Sequence, residues 1–487
     1  MSSPPQPLSI DNINPAVVEA QYAVRGEIAL KAEELRAKLA SDPKAKHELG
    51  FDSVINCNIG NPQQLGQKPI TFARQVACLT EYPELMDKPE ASALFPTDVI
   101  ERAKLLLGAI GSVGAYSHSK GVPLIRQHVA EFLEERDGFP ADPESVFLTA
   151  GASVGVSNIL QLLISSPQDG VMIPIPQYPL YTAALALNKA RPVEYYLSEA
   201  KDWEPDLESL ETVLATATAA GTRTRAMVVI SPGNPVGNVL SRPAMDAILS
   251  FCHRHNLVLL ADEVYQTNLY ERSTRPFVSF KHALLTHPDE ALRTKLPLVN
   301  FHSISKGQVG ECGRRGGYFE IVNFPGPVAE QVYKLASIQL CPPLAGQIGV
   351  DTLVRPPKPG QPSYATWKAE MEAIEASLAS RASHLAKAFN KLPQLSCNEA
   401  QGALYLFPKL ELPQKAVEAA KAAGKPVDAF YCLQLLLKTG ICLIPGSGFG
   451  QAPGTMHFRT TFLAPGTDDY VARFERFHTN FLEEYKD

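Results

Sequence analysis

Residues 145–174, SVFLTAGASVGVSNILQLLISSPQDGVMIP, decide the fold. The apolar run 145–149 is short and β-rich, Gly151 interrupts it, 153–164 carries helical spacing, and 170–174 is apolar again. Strand, helix and strand in that order make a crossover unit, which joins parallel neighbours of one sheet. No charged side chain occurs from 145 to 168, a length that would suit a membrane span. The polar Thr149, Ser153, Ser157, Asn158 and Gln161, with Gly151 and Gly155, fit a buried strand, turn and helix instead.

The same grammar extends both ways. Spacing predicts helices over 97–108 and 122–136 upstream, and helix 179–188 with strand 192–197 downstream. Strand 226–230, helix 242–254 and strands 257–261, 297–302 and 316–322 follow. The expected class is α/β, a large domain whose mostly parallel sheet is sandwiched by helices. The stretch VRPPKPGQPS at 354–363 ends the alternation, and a long helix over 364–392 follows. The tail, with strands near 403–407, 441–444 and 456–462 and two helices, reads as a smaller α+β domain. At the other end, Asn14 caps and Pro15 opens a helix expected to run to about Ala40, while 51–95 reads mostly as loop. The expected division is therefore an N-terminal arm 1–45, a first part of the smaller domain 46–95, a large domain 96–362, and the rest of the smaller domain 363–487.

Composition excludes several classes. With 45 Lys+Arg against 51 Asp+Glu, the 487 residues carry a formal charge of −6, without the basic excess of a nucleic-acid binder. Eight scattered cysteines without a CxxC pair suit a reducing compartment. The first fifteen residues lack a secretory apolar run and the arginines of a transit peptide, so the expected location is cytoplasmic, with the mitochondrion as the alternative. No membrane association is expected. His253 and His255 suit a helix end better than a metal, and no metal is expected.

In open parallel sheets, ligands collect beyond the carboxyl ends of the strands. Gly151, Ala152 and Ser153 lead from a strand into a helix, where free N–H groups favour an anion. Tyr178 follows the strand ending at 174, Asn234 lies in the turn SPGNP after 226–230, and Asp262 and Tyr265 follow 257–261. The segment Phe301-His302-Ser303-Ile304-Ser305-Lys306 places a lysine just past a buried strand, where desolvation can make the amine reactive.

SPGNP at 231–235, ADEVY at 261–265 and SISK at 303–306, with Arg315 and Arg459, resemble the fold type I, class I aminotransferases that use pyridoxal 5'-phosphate. GNPQQLGQKPITFARQV at 60–76, GAYSHSKGVPLIR at 114–126 and SKGQVGECGRRGGY at 305–318 look like the alanine aminotransferase branch. The resemblance implies alanine and 2-oxoglutarate exchanged for pyruvate and glutamate by alternate half-reactions through a Schiff base on Lys306. Another aminotransferase, such as a glutamate:glyoxylate or aromatic one, is the alternative. A regulatory protein that has lost catalysis fits poorly, because Lys306, Asp262 and Arg459 are all retained.

By the same resemblance, Lys306 moves the proton, Asp262 pairs with the ring nitrogen, Tyr265 and Asn234 bond the ring oxygen, and Tyr178 stacks on the ring. Ala152, Ser153, Ser303 and an arginine hold the phosphate. Many members place that arginine eight residues after the lysine, at Arg314 here, and the alanine branch nine after, at Arg315; the following Gly-Gly-Tyr aligns with Arg315. Tyr116 is implied to reach the phosphate of a neighbouring subunit, hence a homodimer with shared sites. Arg459, with Asn234 and the Gly60 backbone, is implied to bind the substrate α-carboxylate.

Overall fold

The computed structural model describes residues 9–10, 12–20 and 26–487. A first short strand, β1 (Ile55–Asn56), belongs to the smaller lobe. The central sheet follows: β2 (Val146–Thr149), β3 (Asp169–Ile175), β4 (Arg191–Ser198), β5 (Glu204–Pro205), β6 (Arg223–Ile230), β7 (Val258–Asp262), β8 (Leu298–Ser303) and β9 (Gly317–Val322). Their spatial order is β2-β9-β8-β7-β6-β3-β4-β5. The pairs β8/β7, β7/β6, β6/β3 and β3/β4 are parallel, and β9 runs antiparallel between β2 and β8. The α/β class read from 145–174 is the one observed.

Both faces of the sheet are buried, so the strands read as continuous apolar runs rather than alternating ones. One face packs Met172, Met227, Val229 and Leu259 against Ile248, Leu249 and Leu284. The other packs Val171, Val228, Leu260, Val299 and Phe319 against Ile159 and Leu160 of the helix Ala152–Leu163.

The smaller lobe draws on both chain ends. Ile28, Leu35, Phe51 and Cys57 share a core with Leu378, Leu385, Phe430, Leu435, Phe474 and Phe481. Its short strands are β10 (Leu395–Ser396), β11 (Tyr405–Leu406), β12 (Lys409–Leu410), β13 (Ile441–Cys442), β14 (Ile444–Pro445) and β15 (Phe458–Thr461), with β15 between β11 and β14 and β13 beside β1. The segment 70–95 packs elsewhere: Ile70, Phe72, Val76 and Leu79 join Val99, Leu106, Ile125 and Leu148. Residues Ile70 to Leu79 thus pack with elements of the 96–148 region, while Phe51 and Cys57 pack in the smaller lobe.

Several expected elements differ. The single helix from Asn14 to Ala40 is two in the described residues, Pro15–Glu19 and Glu27–Ser41: Ala20 turns to extended backbone, and Gly26 begins the second helix. Residues 21–25 lie outside the described ones. Helix Glu27–Ser41 packs into the smaller lobe through Ile28, Ala32 and Leu35, so it is part of that lobe and not an arm. The region 51–95, expected as loop, contains helix Thr71–Glu81, and helices Leu207–Ala219, Gly326–Ile338 and Leu344–Val354 add to those expected. The tail holds three helices, Gln414–Ala422, Val427–Thr439 and Thr467–Glu484, where two were expected.

Candidate active site

All of the predicted site residues except Tyr116 line one cavity of about 620 Å³ at the carboxyl ends of β3, β6, β7 and β8. Tyr116 stands outside it, 81% exposed on the surface.

At one end the cavity is built for an anion. Gly151 takes φ +88° to turn β2 into helix Ala152–Leu163, whose first N–H groups have no partner within the helix. A Cβ on Gly151 would run into the Arg315 guanidinium, so only glycine leaves the cradle open. Arg315 donates to the Ala150 carbonyl at 2.8 Å and reaches Ser153 Oγ at 3.5 Å. Ser303 Oγ accepts from the Ser305 N–H at 2.9 Å, fixing the turn that leads to Lys306. Arg314 points elsewhere: its guanidinium lies 3.6 Å from Glu311, which also binds Arg74 at 2.7 Å. Of the two arginines, only Arg315 lines the cavity.

The cavity floor is acidic. Asp262 at the end of β7 is 6% exposed. It accepts from the Tyr181 hydroxyl at 2.8 Å and from the Val264 N–H at 3.3 Å. Burial raises its carboxyl to about 6, against the opposing pull of the Tyr181 bond, the Val264 N–H and the Lys306 charge. Such a carboxylate is short of positive charge, and a protonated ring nitrogen would supply it.

Lys306 Nζ donates to the Gly60 carbonyl at 2.6 Å, and a Cβ on Gly60 would overlap the Tyr405 hydroxyl and come within 3.2 Å of that amine. From there a hydrogen-bonded chain crosses the site. Asn234 Nδ2 reaches the Tyr265 hydroxyl at 3.4 Å, Tyr265 donates to Tyr405 at 3.2 Å, and Arg459 Nη1 donates to Asn234 Oδ1 at 2.9 Å. Burial pushes the Tyr265 hydroxyl well above the phenol range. At Tyr405 burial pushes the same way, but the Lys306 and Arg459 charges and the bond from Tyr265 outweigh it and hold this hydroxyl low.

Arg459, 1% exposed, also donates to the Asn58 carbonyl, and its guanidinium lies 4.1 Å from the Tyr405 ring centre and 4.6 Å from that of Phe449. Its Nε has no partner among the described residues. A buried guanidinium facing only neutral acceptors and rings is prepared for a carboxylate.

Tyr181, Tyr405, Phe449 and the Asn58 carbonyl were not among the predicted residues. Tyr181 lies in the first turn of the helix Leu180–Leu187, whose apolar run offers no sign that its hydroxyl turns to Asp262. Tyr405 sits in an apolar strand, Ala403-Leu404-Tyr405-Leu406-Phe407, where the sequence gives no reason to prefer function over packing.

The donor set fits pyridoxal 5'-phosphate. An anion cradle kept open by Gly151, a desolvated Asp262, the Tyr178 ring at the wall and an amine at Lys306 match its phosphate, ring nitrogen, ring face and aldehyde. Among the described residues no group of three or more His, Cys, Asp or Glu could hold a metal ion.

Comparison with known proteins agrees with this geometry. The profile of the family described as Aminotransferase class I and II matches residues 87–476. The chain is 49% identical over 485 residues to alanine aminotransferase 2 of Panicum miliaceum, covering 99% of each. It is 45% identical over 483 residues to glutamate–glyoxylate aminotransferase 2 of Arabidopsis thaliana, covering 99% of this chain and 98% of the other. The solved structure of an alanine aminotransferase from Pyrococcus furiosus superposes with a TM-score of 0.74 at 24% identity, covering 96% of this chain and all of that one, a likeness of fold.

Proposed function

The chain belongs to the class I and II aminotransferases, which use pyridoxal phosphate, and from that premise we propose that it is an alanine aminotransferase acting on alanine and 2-oxoglutarate to give pyruvate and glutamate. The observation that best supports a substrate carrying an α-carboxylate is Arg459, a buried guanidinium with an unpartnered Nε beside Asn234 and Tyr405.

In this reading Arg459 clamps the α-carboxylate common to all four compounds, and Asn234 Oδ1 fixes the guanidinium plane. Ala152, Ser153, Ser303 and Arg315 would hold the cofactor's phosphate, Tyr178 would cover its ring, and Asn234 and Tyr265 would bond its ring oxygen. Asp262, oriented by Tyr181, would keep a proton on its ring nitrogen. Held there, pyridoxal phosphate would supply an aldehyde to carry the amino group and a ring to accept electrons from the substrate Cα. Lys306 Nζ would take the proton from Cα in one half-reaction and return one in the other, with Arg459 serving both. Walls of Tyr405 and Phe449 keep water from the carboxylate clamp and strengthen it.

The shared-site homodimer is supported by the surface around Tyr116. His118 stacks on Tyr333 with ring centres 5.5 Å apart, and the adjoining Ile338 and Leu340 are 73% and 57% exposed. Exposed apolar side chains next to an exposed tyrosine are what a second copy would cover. All eight cysteines are free thiols, which supports a reducing compartment, and we place the enzyme in the cytoplasm. Among the described residues no helix is long and apolar enough to cross a membrane.

Steady-state profiling of amino donors against pyruvate, 2-oxoglutarate and glyoxylate tests the substrate reading. The expected result is that alanine with 2-oxoglutarate gives the highest kcat/KM. A higher value for glutamate with glyoxylate would replace it with the second reading, which the Arabidopsis relative represents.

A further inference from the structure

Between the lobes lies a second cavity, of about 320 Å³, at the small end of the roughly 300–1,000 Å³ typical of small-molecule sites. Three elements wall it: the segment 65–69, the helix Tyr364–Phe389, and the turn 463–465 after β15. Leu65, Ile374, Leu378 and Leu463 make it apolar, and its charges are Lys68, Arg381 and Glu370.

Glu370 is already engaged. Its carboxylate accepts from the Thr71 N–H at 2.9 Å and from the Thr71 hydroxyl, at the start of helix Thr71–Glu81. Arg381 has only neutral acceptors: Ser377 Oγ at 2.7 Å, the Phe462 carbonyl at 3.4 Å and the Leu463 carbonyl. Among the described residues no carboxylate forms an ion pair with it. Burial lowers its pKa, the direction expected for a cation that lacks an anion.

We propose that this interlobe cavity binds a small amphipathic monocarboxylate, with its carboxylate on Arg381, Lys68 at the rim, and its chain along Leu65, Ile374 and Leu378. The Arg381 guanidinium, facing only neutral acceptors beside an apolar wall, selects that chemistry. A neutral apolar molecule leaves the guanidinium without an anion, and a second carboxylate would meet Glu370.

The position has consequences for the main site. Gln67 Nε2 donates to the Gln308 carbonyl at 2.7 Å, and Glu375 accepts from Gln308 Nε2 at 3.3 Å, two residues past Lys306. Arg381 holds the Leu463 carbonyl, four residues past Arg459. An occupant therefore bridges the elements that set Lys306 and Arg459 apart.

The test is calorimetric titration of the holoenzyme with octanoate, and with octanol as the uncharged control. One octanoate per chain is expected, with octanol at least about tenfold weaker. Ala373→Phe, which fills the cavity from an exposed position, and Lys68→Gln should each weaken octanoate, the former at least about tenfold. Absence of binding at millimolar octanoate, undiminished binding in Ala373→Phe, or octanol binding as tightly as octanoate would overturn the proposal. The readout is binding alone, so a failure of the alanine reading in donor profiling leaves this result independent.

Discussion

At Asp262 the physics of burial can be read as a pH dependence. A free carboxyl titrates near about 3.9, and in the folded chain Asp262 is raised to about 6. Between those values the folded state binds more protons than the unfolded, so stability present below about pH 4 is lost as pH rises through about 6. The shift corresponds to about 3 kcal/mol. Cofactor-free Asp262→Asn should therefore be more stable than wild type at pH 8, by up to about that amount, and no more stable at pH 4, as urea unfolding at both values will show. Its turnover should collapse at the same time. If Arg459 holds the substrate carboxylate as proposed, Arg459→Leu removes a charge-assisted pair worth about 3 kcal/mol, so kcat/KM for alanine should fall about a hundredfold, measured at fixed 2-oxoglutarate. Tyr405→Phe keeps the ring on Arg459 and loses only the bond to Tyr265, so its kcat/KM should fall less than about tenfold. Tyr405→Ala exposes the clamp to water and should cost more; equal losses would show that the hydroxyl, not the ring, matters.

Among the elements, helix Ala152–Leu163 bears most directly on the proposed phosphate cradle, because Gly151, two residues past β2, makes the turn into it with a positive φ. Gly151→Ala meets both a φ of +88° and the Arg315 guanidinium. Cofactor affinity should drop at least about tenfold in a fluorescence titration, with stability lowered by about 1–3 kcal/mol. This element was legible in sequence to within a residue, since strand, glycine and helix are contiguous. Helix Thr71–Glu81 was not. Its apolar Phe72, Val76 and Leu79 have helical spacing, but Ile70 supplies no side-chain cap, and the cap comes from Glu370 on the interlobe helix. The prolines on either side, Pro69 and Pro83, made the region look like loop, and the residue that completes the helix is 299 positions away. Helix Tyr364–Phe389 was legible as a long helix over 364–392, but not as the wall of a cavity.

On the scale of the whole molecule, the active site is a meeting of distant segments. Lys306 is held by a carbonyl 246 residues earlier and Arg459 by one 401 residues earlier. The dimer proposal belongs here too. Replacing Ile338 and Leu340 together with glutamate should yield monomers in sedimentation velocity, with weaker cofactor binding, because the Tyr116 contribution from the second copy is lost. Dimers that persist with unchanged affinity would remove Tyr116 from the site.

The fold class was legible in the linear pattern, and so were the strand-end residues that line the main cavity. Hydrophobic periodicity and turn residues are local, so the crossover units around 145–174 could be read directly, and the ordered strand-end residues Ser153, Asn234, Asp262 and Lys306 followed from where such sheets bind ligands. Folding in three dimensions is what turns Arg315 and not Arg314 toward the cavity, packs helix Glu27–Ser41 into the smaller lobe, and brings Tyr181 and Tyr405 to Asp262 and Arg459. Those outcomes depend on which side chain faces which across hundreds of residues. That is set by burial and the pairing of charges in three dimensions, for which a linear pattern carries no signal.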